Sequence, residues 1–284
     1  MSINLTESSP GFYIDADYQS LLAQMGLDSV AAVFGFRQGQ NLVKSNLASW
    51  RHRIRFQLPN GQYAYLKRYD HPPKAVQIKA WFQHGQRAFL SGFDKGPMDI
   101  LQQVDVSIPK TIACGGQWQG FFEKQSFIIT LELENARSLE KKLPDCFHSD
   151  SPDSHKDRKE CITQLADFIR RFHQTGYRHR DLYLAHIFLS DKDTLSLIDL
   201  HRCFRPYYLK QRYQIKDLAQ LHYSCPGETI SLADRIRFYR EYLKADKLTA
   251  VDKARLRKIH TKALRIARHD RKHGRVVPFE TNAH

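Results

Sequence analysis

Residues Tyr177 to Asp199, YRHRDLYLAHIFLSDKDTLSLID, decide how the rest of the chain is read. Ahead of them Ile162, Leu165, Phe168, Ile169 and Phe172 recur at helical spacing, which predicts a helix over residues 161–174. Gly176 is suited to end it, because glycine takes the left-handed turn that stops helices. The triplet His179-Arg180-Asp181 then falls in a loop. Beyond it, Ile187-Phe188-Leu189 and Leu195-Ser196-Leu197-Ile198 are short apolar runs flanking a polar turn at 191–194, the pattern of a β-hairpin. Asp181 and Asp199, 18 residues apart, therefore stand at opposite ends of the predicted hairpin.

Upstream, Ile54, Phe56 and Leu58 alternate over residues 50–58, Asn60-Gly61 marks a tight turn, and residues 63–69 form a further strand carrying Lys67. Val33-Phe34-Gly35-Phe36 reads as a first strand. Residues 37–49 read as a loop holding Gly39, Lys44 and Ser45. A strand Lys taken alone is usually an exposed surface residue. A strand Lys followed far downstream by a loop Asp and then a strand-end Asp is the order in which protein kinases lay out a phosphoryl-transfer site. In that order Lys67 pairs with nucleotide phosphates. The 37–49 loop has one glycine, so backbone amides with Lys44 or Ser45 would have to cradle the phosphates.

Such a site also needs an acid to hold the Lys. The pattern of Ile78, Trp81, Phe82 and Phe89 predicts a helix over 74–90, interrupted by Gly92 and Gly96-Pro97. No Glu occurs between Gly61 and Phe122, which leaves Asp94 and Asp99, with Asp105 third. Residues 104–113 re-enter the sheet, Gly115-Gly116 turns the chain, and the apolar runs within 120–133 complete a five-stranded antiparallel sheet. Glu132-Leu133-Glu134-Asn135 reads as a hinge. The expected organisation is α+β, with residues 1–133 as a sheet-and-helix lobe over the nucleotide and 134–284 as a mainly helical lobe. The first 30 residues offer only a short helix over 18–25, and residues 144–160 read as a polar, solvated excursion.

In this scheme Asp181, grouped with His179 and Arg180, is the general base or the group that orients the attacking hydroxyl. Asp199 supplies carboxylate oxygen to Mg²⁺, which prefers such ligands. His186 stands at the second metal position, where a protein kinase has Asn. Imidazole is a poorer Mg²⁺ ligand than an amide oxygen, so a hydrogen bond from His186 to Asp199 or to a phosphate is the alternative.

HRDLYLAHIF followed by LIDLHR resembles the lipopolysaccharide core heptose kinase family, a bacterial branch of the protein-kinase-like fold. The likeness extends to Ala64-Tyr65-Leu66-Lys67-Arg68 and to the segment from Lys216 to Ser224. It covers roughly residues 40–275 and is dense from Phe172 onward. In the family a His occupies the place of His186, and spacing to Leu101 puts Asp94 where the family has a helix Glu. The resemblance gives Asp217 a structural role on the catalytic-loop backbone. It implies ATP-dependent, Mg²⁺-assisted phosphorylation of a sugar hydroxyl of the lipopolysaccharide inner core, on the cytoplasmic side of the inner membrane. The competing expectations are a kinase for another small molecule or a protein, and a non-catalytic pseudokinase scaffold.

Composition sets outer limits. The chain has 284 residues, 42% of them hydrophobic, enough for a substantial core. No run of eighteen apolar residues occurs, and Asp15 and Asp17 fall where a secretory signal would be apolar. The five cysteines are scattered and form no CxxC, which fits a reducing compartment and disfavours a cysteine-rich zinc site. The net charge of +14 points to an acidic partner, whether nucleic acid, anionic lipid headgroups or a phosphorylated substrate, and charge alone does not choose among them. Without an aromatic-rich recognition module, no nucleic acid is expected. Residues 251–275 form a basic amphipathic helix with ten Lys or Arg against two Asp, suited to packing on one face and to an anionic membrane surface on the other.

Overall fold

A computed structural model of the chain describes residues 5–42, 48–146 and 152–280. The architecture is α+β, in two compact units, neither of them one continuous stretch. The first takes residues up to 103, 108–134 and 199–202; the second takes 104–107, 135–198 and 203 onward. Asp199 thus belongs to the first unit and Asp181 to the second.

The first unit contains β1 (Leu5–Ser9), β2 (Phe12–Asp15), α1 (Gln19–Gln24), α2 (Val30–Gly35), β3 (Gln40–Asn41), β4 (Arg51–Gln57), β5 (Tyr63–Asp70), α3 (Lys74–His84), α4 (Gly92–Gln103), β6 (Thr111–Gln119) and β7 (Phe122–Leu131). Its antiparallel sheet has seven strands in the order β1-β2-β6-β7-β5-β4-β3, where five were expected. Two of the additional strands come from the N-terminal thirty residues, where β1 is largely polar and β2 spans four residues, too short for a period-of-two signal. Their turn also accounts for Gly115-Gly116, which lies inside β6 rather than in a turn. The Gly11 carbonyl accepts from Gly116 N at 2.9 Å, and a Cβ on Gly115 would sit 2.1 Å from that same carbonyl. The chain reverses instead at Gly120, with φ +59°.

The predicted strand at Val33–Phe36 is also corrected: residues 33–35 belong to α2, whose N-terminus is capped by the Ser29 side chain accepting from Ala32 N. A four-residue apolar run does not distinguish strand from helix. Val33 and Phe36 reach the core in either case, packed with Phe12, Ile54, Phe56, Leu66 and Phe127. A third correction concerns Gly92 and Gly96-Pro97. The helix expected over 74–90 ends at His84, where Gly85 takes a left-handed turn; α4 starts at Gly92, and Gly96-Pro97 lie inside it without breaking it. Pro97 costs one helical hydrogen bond, but it is buried with Phe93, Met98 and Leu101, and that packing holds the segment helical.

The approach to α4 is pinned by a buried polar node. Gln77 of α3 donates to the carbonyls of Pro72 and Glu123, and its Oε1 accepts from Glu123 N. Glu123 Oε2 accepts from Leu90 N at 2.6 Å. Burial pushes the Glu123 carboxyl up from 4.5 to about 7, against the smaller lowering effects of Ser126 and the Leu90 amide. A carboxyl raised in the folded state binds more protons there than in the unfolded chain. Its contribution is complete below pH 4.5 and is lost as pH rises through about 7. At about 1.4 kcal/mol per pKa unit, the loss is on the order of 3 kcal/mol. Denaturant unfolding of wild type should therefore weaken between pH 5 and 8 relative to Glu123→Gln, which lacks the titration. Parallel pH profiles for the two proteins would contradict this.

The second unit contains β8 (Ala136–Ser138), α5 (Leu139–Cys146), α6 (Pro152–Gln174), β9 (Ile187–Ser190), β10 (Leu195–Leu197), α7 (Lys210–Ser224), α8 (Leu232–Leu243) and α9 (Ala250–Lys272). β9 and β10 form the predicted hairpin, and β8 adds a third antiparallel strand. Much of the 144–160 excursion is helical: α5 reaches residue 146 and α6 starts at 152, while residues 147–151 lie outside the described residues. α9 buries Ile259, Ala263 and Ala267, packs on α7, and receives the Tyr223 hydroxyl on Asp270 at 2.8 Å. Its other Asp, Asp252, forms a capping box with Thr249. Both acids are thus used internally, and the outer face of α9 is left cationic. Among the described residues, no helix is long and apolar enough to cross a membrane.

Candidate active site

Strand alternation places Lys67 on the face of β5 opposite Leu66 and Arg68, and on the same face as Tyr69. Lys67 Nζ lies 3.3 Å from Asp94 Oδ1 and 3.3 Å from Asp199 Oδ1. Of the three acids considered for Lys67, the fold brings Asp94 to it. Asp94 sits in the first turn of α4, fully buried, and its Oδ2 accepts from the Tyr69 hydroxyl at 3.1 Å. Burial and then the Asp94 charge push the Tyr69 phenol well above its ordinary value, so it remains a donor. Asp99 pairs with Lys95 one turn away. Asp105 belongs to the second unit and pairs with Arg171. Continuity of α4 across Gly96-Pro97 gives the short Asp side chain a rigid mount.

Asp199 is met by several nitrogen partners. Besides Lys67, His201 Nδ1 lies 2.9 Å and Arg53 Nη2 3.6 Å from the same Oδ1. Arg53 is the cross-strand partner of Lys67 in the β4–β5 ladder, so register alone puts the two cations side by side. At 3.3 Å and an effective dielectric near 20, each attraction is on the order of 5 kcal/mol before desolvation. Burial by itself would raise the Asp199 carboxyl. The His201 hydrogen bond, followed by the Lys67 and Arg53 charges, outweighs it and holds the group far below the ordinary carboxylate range. Asp199 also has φ +60°, a conformation a non-glycine residue adopts at a cost of roughly 1 kcal/mol or more.

Asp94, Asp199 and His201 each offer a ligand atom within 4.8 Å of the others. This donor set fits Mg²⁺ in part. Carboxylate oxygen suits the ion, but imidazole does not, and Asp94 is already engaged by Lys67 and Tyr69. Asp199 is the group suited to the metal.

The second unit builds the His179-Arg180-Asp181 loop on one face of α7. Asp217, fully buried, accepts from His179 N at 2.7 Å on one oxygen and from Arg180 N at 2.8 Å on the other. Three residues on, Gln220 Oε1 accepts from Leu182 N, and Ser224 Oγ accepts from Leu184 N. One helical stripe thus satisfies four loop amides. Lys216 Nζ donates to the Arg180 carbonyl, Arg180 has φ +70°, and its guanidinium lies over Phe204. His179 is fully buried, with Nε2 3.0 Å from the Ile198 carbonyl. His186 Nδ1 is 2.7 Å from the Asp181 carbonyl, which makes it the donor there. His173 braces the assembly from α6, with Nε2 3.3 Å from Asp217 and Nδ1 2.8 Å from the Tyr242 hydroxyl.

Gly39 has a local role in the described structure. At φ +99°, a Cβ there would meet the Arg55 carbonyl at 2.5 Å, so glycine lets the chain close onto β4. Lys44 and Ser45 lie outside the described residues. Arg53, His201 and Gln220 were not singled out for the site. Only His201 carried a signal, its spacing two residues after Asp199.

Residues 96–242 match the family model described as "Lipopolysaccharide kinase (Kdo/WaaP) family". The lipopolysaccharide core heptose(I) kinase WaaP of Escherichia coli K12 is 28% identical over 183 residues, 61% of this chain and 68% of that protein. The protein of the same name from Pseudomonas aeruginosa PAO1 is 28% identical over 51% of this chain and 56% of its own length. A 3-deoxy-D-manno-octulosonic acid kinase of Photobacterium damsela subsp. piscicida is 30% identical over 48% of this chain and 55% of its own. The alignments to the last two thus span little more than half of those relatives. A solved structure described as WaaP in complex with acyl carrier protein superposes with TM-score 0.69 at 22% identity, covering 90% of this chain and 98% of that one.

Proposed function

The chain belongs to the lipopolysaccharide kinase (Kdo/WaaP) family, and from that premise we propose that it transfers the γ-phosphoryl group of ATP to a heptose hydroxyl of the lipopolysaccharide inner core. We place this reaction at the cytoplasmic face of the inner membrane. The observation that carries the proposal is Lys67 Nζ held 3.3 Å from each of two carboxylates, Asp94 and Asp199. A lysine with one buried partner and one replaceable partner can stay anchored through Asp94 while turning its charge to phosphate.

In this proposal residues 1–133 cover the nucleotide and the remainder carries the base. Asp94 and Tyr69 fix the direction of Lys67. Arg53 and His201 hold the Asp199 carboxylate ionised. Asp199 would hold Mg²⁺, which would supply positive charge to offset that of the phosphates. Asp181 accepts a hydrogen bond from the acceptor hydroxyl, directs its lone pair at phosphorus and takes its proton as the new bond forms. Arg180, His179 and Asp217 set the loop that aims it. His186 holds the Asp181 carbonyl through Nδ1, and its Nε2 is assigned to a phosphate or, secondarily, to the metal. Gly39 shapes the start of the loop we assign to the phosphates, with Lys44 and Ser45 beyond it.

The test is nucleotide-dependent thermal stabilisation combined with transfer of labelled γ-phosphate. ATP with Mg²⁺ should raise the melting temperature by several degrees, and label should enter a heptose-containing core glycolipid but not one ending at 3-deoxy-D-manno-octulosonic acid. Label in the heptose-free acceptor would move the proposal to the other acceptor sugar. Absence of both the thermal shift and turnover would remove it.

A further inference from the structure

The helical pattern of Ile78, Trp81 and Phe82 is only partly absorbed by the core. In the first unit, α3 and the β6–β7 hairpin tip both display exposed aromatic side chains. Phe82 is 85% and Phe121 62% exposed, with Ile78 and Trp118 also exposed. Trp81 links them, edge-on to Phe121 at 5.4 Å and stacked on Phe122 at 5.7 Å, and Phe89 stacks on Trp118 at 4.3 Å. Cations are interleaved. The Arg87 guanidinium lies 3.9 Å from the Trp118 centroid and 4.7 Å from that of Phe121, and Lys74 Nζ lies 5.1 Å from Phe122. Lys79 is exposed on the same helix. Residues 74–93 and 115–122 contain no Asp or Glu, the adjoining Glu123 is buried, and the partly exposed Asp70 ahead of α3 is paired with His71.

We propose that this surface seats the chain on an anionic bilayer, with Phe82, Phe121 and Trp118 entering the interface and Lys74, Lys79 and Arg87 meeting lipid phosphates. The inference rests on the proposed reading in one respect, that a lipid-anchored acceptor lies in a membrane. Aromatic rings with cations above them divide at the depth where headgroup gives way to acyl chain. The cations draw the face toward a negative leaflet, and each buried ring adds apolar transfer energy. α9 offers charge without this apolar component, because its apolar ridge is spent on α7.

The experiment floats the full chain with vesicles of phosphatidylcholine containing 30% phosphatidylglycerol, and with pure phosphatidylcholine. Wild type should float with the anionic vesicles only. Its tryptophan emission should shift to the blue and be quenched by lipids brominated on the acyl chain. Phe82→Ser with Phe121→Ser removes two exposed rings, so its melting temperature should match wild type while partitioning falls at least tenfold. That variant should phosphorylate a water-soluble, deacylated core oligosaccharide within twofold of wild type, and vesicle-embedded glycolipid at least tenfold more slowly. Flotation of the variant at wild-type level, or wild type that stays off the vesicles and self-associates through the patch, would overturn the proposal. Loss of transfer to both acceptors by wild type would instead remove the kinase reading and leave the flotation result intact.

Discussion

Asp181→Asn is expected to lower phosphoryl transfer by roughly two to four orders of magnitude, the span of general-base contributions, with little change in nucleotide-induced thermal stabilisation. The reason lies in how the loop is held. The amides of His179, Arg180, Leu182 and Leu184 are fixed by Asp217, Gln220 and Ser224, and the carbonyl of Asp181 is fixed by His186. These bonds are made by backbone atoms of the loop, which the isosteric amide keeps in full. On the proposed mechanism, what the substitution removes is the proton acceptor for the sugar hydroxyl. The loss should appear in kcat, with KM for ATP within about threefold of wild type. Transfer by the variant at the wild-type rate would assign the base elsewhere. A collapse of the nucleotide response would show that Asp181 shapes the nucleotide site.

The order of chemistry along the chain was legible because each part carries its own local pattern. The β9–β10 hairpin is announced by two apolar runs around a polar turn, and α6 by a helical repeat of large side chains. Lys67 could be found because β5 is dense in aromatic and aliphatic residues. The residue pattern alone left Asp94, Asp99 and Asp105 open as its partner, and only the family resemblance, through the spacing to Leu101, pointed to Asp94. The choice depends on whether Gly96-Pro97 breaks the chain, and burial of Pro97, Met98 and Leu101 decides that it does not. Local propensity lost to tertiary packing there, as it did at Val33–Phe36.

Other parts were illegible for a different reason. Arg53 reaches Asp199 only through strand register, a relation between segments that no single segment encodes. Gly115-Gly116 looks like a turn in sequence because glycines serve both for reversal and for close approach. Only the Gly11 carbonyl against β6 shows that the second use applies. Along α7 the stripe Asp217, Gln220, Ser224 has helical period, yet buried polar residues at that period look like a solvated face until their partners, the loop amides, are known.

The same reasoning gives Asp199→Asn a specific signature. The substitution keeps the shape of the side chain and removes the charge on which Lys67, Arg53 and His201 converge. Lys67 retains Asp94, so the first unit should fold, at a cost of a few kcal/mol for cations left uncompensated. Two cations, Lys67 and Arg53, facing a neutral amide attract polyphosphate more strongly than two cations already neutralised by a carboxylate. ATP in the presence of a chelator should therefore stabilise the variant as much as wild type or more, while the further increment from Mg²⁺ disappears and transfer falls roughly a thousandfold. A residue with only a structural part in the cluster would lower both nucleotide responses together. Opposite movement of the chelated and Mg²⁺-dependent responses, read by thermal shift on one protein preparation, separates a metal-holding carboxylate from a structural one without reference to turnover.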